Sequence, residues 1–574
     1  MKDESPEKLR GGYYTDHVVA RFLAEWAIAD GAARILEPSC GDGAFFRALR
    51  TLRWGGRSKH MTACELEPSE ASRAEKAMRE LAPDAAEMNV GDFLSWFLRT
   101  AGTTGPFDAV VGNPPFVRYQ YLAEHLQRDS ERIFERHGLR FTRHTNLWVP
   151  FVIASLELLR PGGRLALVVP AELLHVLHAE GLREFLLREC SRVLVLDPEE
   201  ILFGETLQGV VLLMAEKRPA GTRNEGRGTL AVHRISGRTA LDVPAADYFA
   251  KATFVPASAL GAKWTLALLS SAERRLLDEV RARAGVQRFA QLADVSVGIV
   301  TGANAFFLVP DAVVQAFELE PYVYPMFGRS EHAPGVIYDA VQHTANRRRG
   351  WPTNFVLFPA DVDRAGLTAG ARRYLRNGES EALHTRYKCR IREPWYVVPS
   401  LPATPVAMLK RSHDFPRLVL NTANAQTTDT AYRVTPRRGI AARKLVQCFV
   451  NSLTALSCEL EGRHYGGGVL ELVPSEIARV LVPYIDRDVD ADVADLDRMF
   501  RAGATTEAIL EAQDDAILGG LGIERPDRKL IRAAWTRLRN RRCRSESEAV
   551  ETPTDDHQPI AAPFDVSAMV ASYG

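Results

Sequence analysis

Residues 35–43 read Ile35-Leu36-Glu37-Pro38-Ser39-Cys40-Gly41-Asp42-Gly43. A short apolar run ends in an acidic residue, and a Gly-x-Gly turn leads into an amphipathic segment. Glycine lets the backbone take positive φ and pass close to a ligand. At the end of a strand, such a loop puts a ligand at the carboxyl edge of a parallel sheet. The next runs support a sheet of that kind. Ala33–Leu36, Met61–Glu65, Ala109–Gly112, Arg164–Val169, Val193–Leu196 and Gly209–Ala215 predict strands. Amphipathic stretches at 17–29, 70–82, 147–159 and 179–189 predict helices between them. The alternation argues for an α/β, Rossmann-like unit with a mostly parallel sheet and helices on both faces.

After about residue 245 the alternation is lost, and mixed pieces rich in Pro, Arg and Tyr follow. The chain therefore divides into an α/β domain over 1–245, an α+β domain over 246–540, and an acidic tail over 541–574 that reads as disordered. Residues 219–229, PAGTRNEGRGT, read as a linker or exposed loop. Residues 503–542 are helical in pattern and basic, running into RLRNRRCR.

Composition narrows the function classes. Of 574 residues, 46% are hydrophobic and 25% charged, so a mostly disordered chain is excluded. The seven cysteines form no C-x-x-C pair, which argues against a zinc ribbon, a redox motif or a secreted disulfide framework. The N-terminus lacks the apolar stretch of a signal peptide, and no run has the length of a membrane span; the cytoplasm is the simplest location. Lys plus Arg balance Asp plus Glu at 72 each, but unevenly: residues 1–250 carry a net −3, 251–540 a net +6 and 541–574 a net −3. A polyanion would prefer the middle segment, although an excess of that size also fits a plain solvated surface.

The acidic points fall in a telling order. Glu37 and the glycines come first, Glu65 ends the second strand, and Gly91-Asp92-Phe93 follows. A carboxylate at Glu65 can accept from both hydroxyls of a ribose. Asp92 can accept from an adenine amino group, with Phe93 packing on the ring. A lone Gly-x-Gly also fits a ligand-free turn, but the ordered set points to a nucleoside-type cofactor. The third glycine of a dinucleotide fingerprint is missing, since position 46 is Phe46. That favours a cofactor without phosphates, such as S-adenosylmethionine.

Phe107-Asp108-Ala109-Val110-Val111-Gly112 leads into Asn113-Pro114-Pro115-Phe116. Two prolines stiffen the loop and donate no N–H. The Asn113 side-chain carbonyl and the Pro114 backbone carbonyl can therefore aim two acceptors at one amino group. An exocyclic amine of a base is a poor nucleophile, because its lone pair is delocalised into the ring. Two acceptors on its hydrogens favour a tetrahedral nitrogen and free that pair. Positioning and electrostatics then do the catalytic work. Phe116 would stack on the base. A rigid Pro-Pro loop closing a strand is the bland alternative.

Together these residues resemble the gamma-class, Taq-type N6-adenine DNA methyltransferases of type II restriction-modification systems, over roughly residues 11–485. The resemblance implies a class I methyltransferase domain at 1–245 and a target-recognition domain at 246–540. It implies transfer of a methyl group from S-adenosylmethionine to N6 of a flipped-out adenine, marking host DNA against a cognate restriction endonuclease that acts separately. Double-stranded DNA is then the partner, the enzyme a monomer without a metal. Gly12-Tyr13-Tyr14-Thr15 resembles the motif that closes over the methionine end of the cofactor, with Asp16 where the family usually has proline. By the same resemblance, Glu37, Pro38, Gly41 and Gly43 form the cofactor loop, Glu65 binds the ribose, and Asp92 and Phe93 bind the adenine. Asn113, Pro114 and Phe116 are catalytic, with Asn113 also touching the cofactor and Phe116 holding the base. Tyr is more usual than Phe at position 116.

Several further segments extend the resemblance. Asn146-Leu147-Trp148, and Leu158 through Pro170, are similar to the next strand and its loop. Phe203 matches an aromatic behind the flipped base, and fits a core residue equally well. Val297 through Phe307 resembles the opening of the recognition domain, and Tyr465 through Val469 with Leu481-Val482-Pro483 its closing segments. Arg347-Arg348-Arg349 and Lys388 through Arg392 are candidates for phosphate contact, or solvated charged faces. The rivals are N4-cytosine methylation, for which serine is more usual at Asn113, RNA guanine-N2 methylation, glutamine methylation of release factors, and a non-enzymatic DNA-binding protein retaining only the fold.

Overall fold

Strand β1 (Arg34–Glu37) lies between β2 (His60–Glu65) and β4 (Phe107–Gly112), parallel to both. The computed structural model in which this is seen describes residues 15–29, 31–143, 145–199, 209–222, 227–260, 263–399, 401–485 and 490–543. The chain forms two compact units, the first built mainly on the residues up to Ser270, the second on Ser271–Arg463 and Val469–Arg542.

The first unit holds a nine-stranded sheet in the order β3-β2-β1-β4-β5-β7-β6-β8-β9. The remaining strands are β3 (Ala86–Val90), β5 (Leu159–Pro170), β6 (Cys190–Pro198), β7 (Val210–Lys217), β8 (Thr229–Ile235) and β9 (Val255–Pro256). Strands β1 to β5 are parallel, as the strand–helix alternation predicts. Strand β7 is not: it runs antiparallel between β5 and β6. The short 199–209 connection explains this, because a parallel crossover needs a dozen or more residues. Strands β3, β8 and β9, missing from the strands expected above, lie at the two sides of the sheet. In β3 no residue is fully buried, and its Ala86-Glu87-Met88-Asn89-Val90 alternation spans only five residues, a short signal for an edge strand.

The central strands are apolar on both faces because both are covered. Ile35, Met61, Ala63, Ala109, Val111, Ala166 and Val168 share one core with α1 (His17–Ile28), α2 (Ala44–Thr51) and α3 (Pro68–Leu81). In α1 the buried Val19, Phe22, Leu23 and Trp26 recur at helical spacing. Alternate strand residues such as Leu36, Val110, Leu165 and Leu167 point to the opposite face. There α4 (Phe93–Thr100), α5 (Glu124–Arg136) and α6 (Trp148–Leu158) pack together, with α6 against β4 and β5.

A polar clamp holds β4 to β1. Asp108 Oδ2 accepts from Ala33 N at 2.8 Å and from Arg34 N at 2.9 Å. Arg160 Nε donates to the other carboxylate oxygen. Burial works to raise the Asp108 pKa, but Arg160 and the two backbone donors outweigh it and hold the carboxyl below its ordinary range.

The second unit contains a five-stranded sheet in the order Ala293–Val297, Ala431–Pro436, Val406–Leu409, Leu418–Asn421, Ile337–Tyr338. All its pairings are antiparallel except the last, and helices accompany it, in keeping with an α+β reading. Leu481–Pro483 pairs antiparallel with Val286–Arg288. The basic C-terminal segment forms the helix Arg525–Cys543, so it takes in the first residues of the expected tail. The helix uses its charge internally. Arg537 grips Glu273 through two 2.7 Å bonds, Arg532 meets Asp514 and Glu511, and Arg542 pairs with Glu459 with both side chains fully buried. Residues 544–574 and Phe203 lie outside the described residues.

Replacing Asp108 with alanine leaves two β1 amides without their acceptor. Urea unfolding of Asp108→Ala near pH ~7 should show a loss of about 2 kcal/mol, the worth of hydrogen bonds to a charged group. Because the folded pKa is depressed, this contribution is fully present above the ordinary value of 3.8 and is lost as pH falls through the folded value. The gap between variant and parent should therefore narrow in acid, and a gap that widens there would contradict the clamp.

Candidate active site

The site grows out of the strand order. The chain leaves β1 toward β2 and β3 on one side, then returns to β4 on the other. At such a switch point the loops after the two neighbouring strands diverge and open a crevice at their carboxyl ends. The loop after β1 is the glycine loop, and the loop after β4 is Asn113-Pro114-Pro115-Phe116. The ends of β2 and β3 bring Glu65 and Asp92 to the same edge.

Glycines shape the first loop. Gly43 caps α2 in the left-handed region at φ +84°, and a Cβ there would sit 3.0 Å from Phe46 Cδ2. Phe46, which stands where a dinucleotide fingerprint has glycine, is fully buried in the core. Gly112 lets β4 pass against Pro38, whose Cδ would lie 3.3 Å from an added Cβ. The two loops are then joined directly: Ser39 Oγ donates to the Asn113 carbonyl oxygen at 3.0 Å. Beyond the tetrad, Leu147 N donates to Val117 O at 2.8 Å, and Arg118 bridges Asn146. The Asn-Pro-Pro-Phe segment is thus pinned at both ends. Pro114 is buried, and Asn113, Pro115 and Phe116 are half-buried. Phe116 packs against the core shared by α1 and α2.

The carboxylates crowd around this loop. Glu65 accepts from Gly41 N through Oε2 at 2.8 Å and from Glu67 N through Oε1 at 2.9 Å. A carboxylate offers about four lone-pair sites, so two remain for a diol. Glu37 is 1% exposed, and its Oε2 accepts no hydrogen bond among the described residues. Burial, then the neighbouring charges of Glu65 and Asp42, push its pKa well above the ordinary carboxylate range, against a smaller pull from Arg47. Asp92 caps α4 by accepting from Ser95 N at 2.7 Å. Burial raises its pKa, while the bonds from Ser95 and Leu94 lower it.

The Phe93 ring was expected to pack on an adenine. It is 2% exposed and packed on Phe151 and Trp96, with centroids 5.0 and 5.9 Å away. Thr15 is half-buried immediately before α1, and Asp16 beside it caps that helix by accepting from Val18 N at 2.8 Å. An aspartate in place of proline therefore starts the helix by another route. Ser39 and Asp108 were given no role above, although both lie within the quoted stretches. Their partners are 74 and 75 residues away, so no local signal marks them. Among the described residues no His, Cys, Asp or Glu cluster suits a metal ion, and no helix is long and apolar enough to cross a membrane.

Comparison with known proteins follows the two units. Residues 56–201 match the family described as Eco57I restriction-modification methylase. Residues 261–518 match the family described as the C-terminal domain of type II methyltransferase M.Eco57I. Type II methyltransferase M.XamI of Xanthomonas campestris pv. amaranthicola is 25% identical over 500 residues, covering 83% of this chain and 85% of its own. M.TthHB8I of Thermus thermophilus is 32% identical over 197 residues, 34% of this chain and 42% of that protein. M.AccI of Acinetobacter calcoaceticus is 19% identical over 480 residues, 81% of this chain and 84% of its own.

The buried Glu37 makes a stability prediction. Its folded pKa lies above the ordinary 4.5, so the ligand-free protein loses stability as pH rises from that value toward the folded one. Glu37→Gln removes the charge and keeps the shape. Thermal melts of the ligand-free variant should run above the parent at neutral pH and converge with it near pH 4.5. A variant that melts below the parent at neutral pH would show that the Glu37 carboxylate has a stabilising partner.

Proposed function

We propose, for a chain that belongs to the Eco57I-like type II restriction-modification methyltransferases, methyl transfer from S-adenosylmethionine to N6 of an adenine rotated out of double-stranded DNA at a specific sequence. The observation that carries this reading is the 3.0 Å bond from Ser39 Oγ to the Asn113 backbone oxygen, which joins the glycine loop to the backbone of the loop that bears the amino-group acceptors. A methyl donor and its acceptor must meet, and this bond ties the two loops that would hold them.

The side chains present fit the cofactor. Glu37 supplies a buried oxygen with no hydrogen-bond donor among the described residues, and Glu37 with Glu65 favours a cationic ligand, while Asp42 is paired with Arg47. In this reading Glu65 takes the ribose hydroxyls, and Asp92 with the Phe93 backbone takes the adenine. Thr15, Glu37, Pro38, Gly41 and Gly43 hold the remainder, with Asn113 alongside. When bound, the cofactor supplies an electrophilic methyl group on a positively charged sulfur.

The chain's own part is positioning. Asn113 Oδ1 and the Pro114 carbonyl accept from the two amino hydrogens of the base and keep its lone pair out of the ring. The pinned ends of the tetrad fix both acceptors before substrate arrives, so little ordering is left to the reaction step. Phe116 stacks on the rotated base and helps offset an unstacking cost of a few kcal/mol. Phe203 is assigned behind that base on the family resemblance alone. In this reading the methyl mark protects host DNA against a nuclease that acts separately, the role implied by the restriction-modification relatives.

The test is to incubate the purified protein with bacterial genomic DNA and S-adenosylmethionine and to map modified bases by single-molecule sequencing. N6-methyladenine at one recurring motif is expected, and none with Asn113→Ala. N4-methylcytosine would move the assignment to the other amino-group chemistry, and methyl transfer only to RNA or protein would overturn it. Ser39→Ala should slow turnover by roughly tenfold while cofactor affinity, read by calorimetry, changes far less.

A further inference from the structure

The second unit separates two basic clusters that look alike in sequence. In Arg347-Arg348-Arg349, Arg347 is committed to Asp311 by a 2.9 Å ion pair and Arg349 lies over the Trp351 ring at 5.0 Å. Lys388 and Arg390 are exposed, and among the described residues neither has a carboxylate within ion-pair distance. Both instead sit over the ring of Tyr387, at 5.5 and 5.7 Å from its centroid, and that ring is 63% exposed. Ile391 beside them is 60% exposed.

This turn is rigidly backed. Arg392 Nη1 donates to Thr301 O at 2.7 Å, and its other terminal nitrogen donates to Val300 O. Gly302, at φ +80°, lies so close that a Cβ would fall 2.6 Å from Lys388 Cβ. Thus the Val297–Phe307 segment and the Lys388–Arg392 cluster, joined by contacts 86 to 92 residues apart in sequence, form one surface. Val300, Tyr387 and Ile391 all expose apolar area on it. The nearby acidic groups are few: Glu381 acts on Arg386, Glu393 is exposed, and Asp429 takes a hydrogen bond from Asn304.

We propose that Tyr387, Lys388 and Arg390 form a duplex-DNA contact surface, with the two cations on phosphates and the Tyr387 ring against the sugar–base wall. The inference rests on the DNA reading above and adds the residues that grip the substrate. Charge argues for the occupant. Cations left without carboxylates, in a unit where Arg347, Arg364, Arg532, Arg537 and Arg542 are paired, suit a polyanion. An exposed aromatic ring between them suits a sugar or base rather than a simple anion. Arg392 is the positioning residue that holds the turn.

The experiment is fluorescence anisotropy of the full chain with a labelled duplex carrying the methylated motif, across a salt series. The Lys388→Ala/Arg390→Ala double variant should bind more weakly, roughly tenfold or more at ~0.15 M salt, and lower the log–log salt slope by about 2. Tyr387→Ala should weaken binding by roughly tenfold with the slope unchanged. Arg347→Ala, which breaks a structural pair, should leave the slope unchanged. S-adenosylmethionine affinity should be the same in all variants. Wild-type binding with an unchanged slope in the double variant, or an equal slope change in Arg347→Ala, overturns this surface and leaves the DNA assignment standing. A parent that neither binds nor methylates any duplex overturns both.

Discussion

Strand β4 pairs with β1 on the side opposite β2, and the candidate site exists only because of that pairing. It sets the glycine loop and the Asn-Pro-Pro-Phe tetrad beside one another at the carboxyl edge. Asp108 holds the entry of β1 through two backbone amides, and Ser39 holds the exit of β4 through the Asn113 carbonyl. One polar contact at each end of a strand pair fixes the relative height of two loops. A small slip would separate the two acceptors from the crevice they serve, and proximity effects fall off steeply with misplacement.

The first unit accepts an electrostatic cost at this edge. Glu37 is buried among other carboxylates, with one oxygen that accepts no hydrogen bond among the described residues. A fold selected for stability alone would place an apolar residue there. Concentrated negative potential beside glycine-lined backbone is the feature a cationic, phosphate-free nucleoside ligand would reward. Local cost at a site, offset by a well-packed sheet beneath it, is the usual division between function and framework.

The second unit handles charge the opposite way. Its C-terminal helix is rich in arginine, with RLRNRRC at the end, yet Arg532, Arg537, Arg539 and Arg542 all meet carboxylates. The short exposed turn at 387–391 keeps its cations unneutralised. Net charge by segment, +6 over 251–540, therefore says little about where a polyanion would land. What matters is which cations are already satisfied, and that is a property of tertiary neighbours.

The central strands and their helices, the order of the acidic points Glu37, Glu65 and Asp92, and the tetrad are all legible in the residues alone. These are local signals: apolar runs, glycine turns and proline stiffness act over a few residues. Other features were decided only by the tertiary structure. The edge strand β3 alternates apolar and polar residues over only five positions, none fully buried, and the direction of β7 follows from the length of its connection. The Phe93 ring is packed against Trp96, one turn along its own helix, and against Phe151, which reaches it from α6. Ser39, Asp108 and the turn at Tyr387 take their meaning from partners some 70 to 90 residues away. Hydrogen bonds and ion pairs of that span exist only once packing has paid the entropy of bringing their ends together.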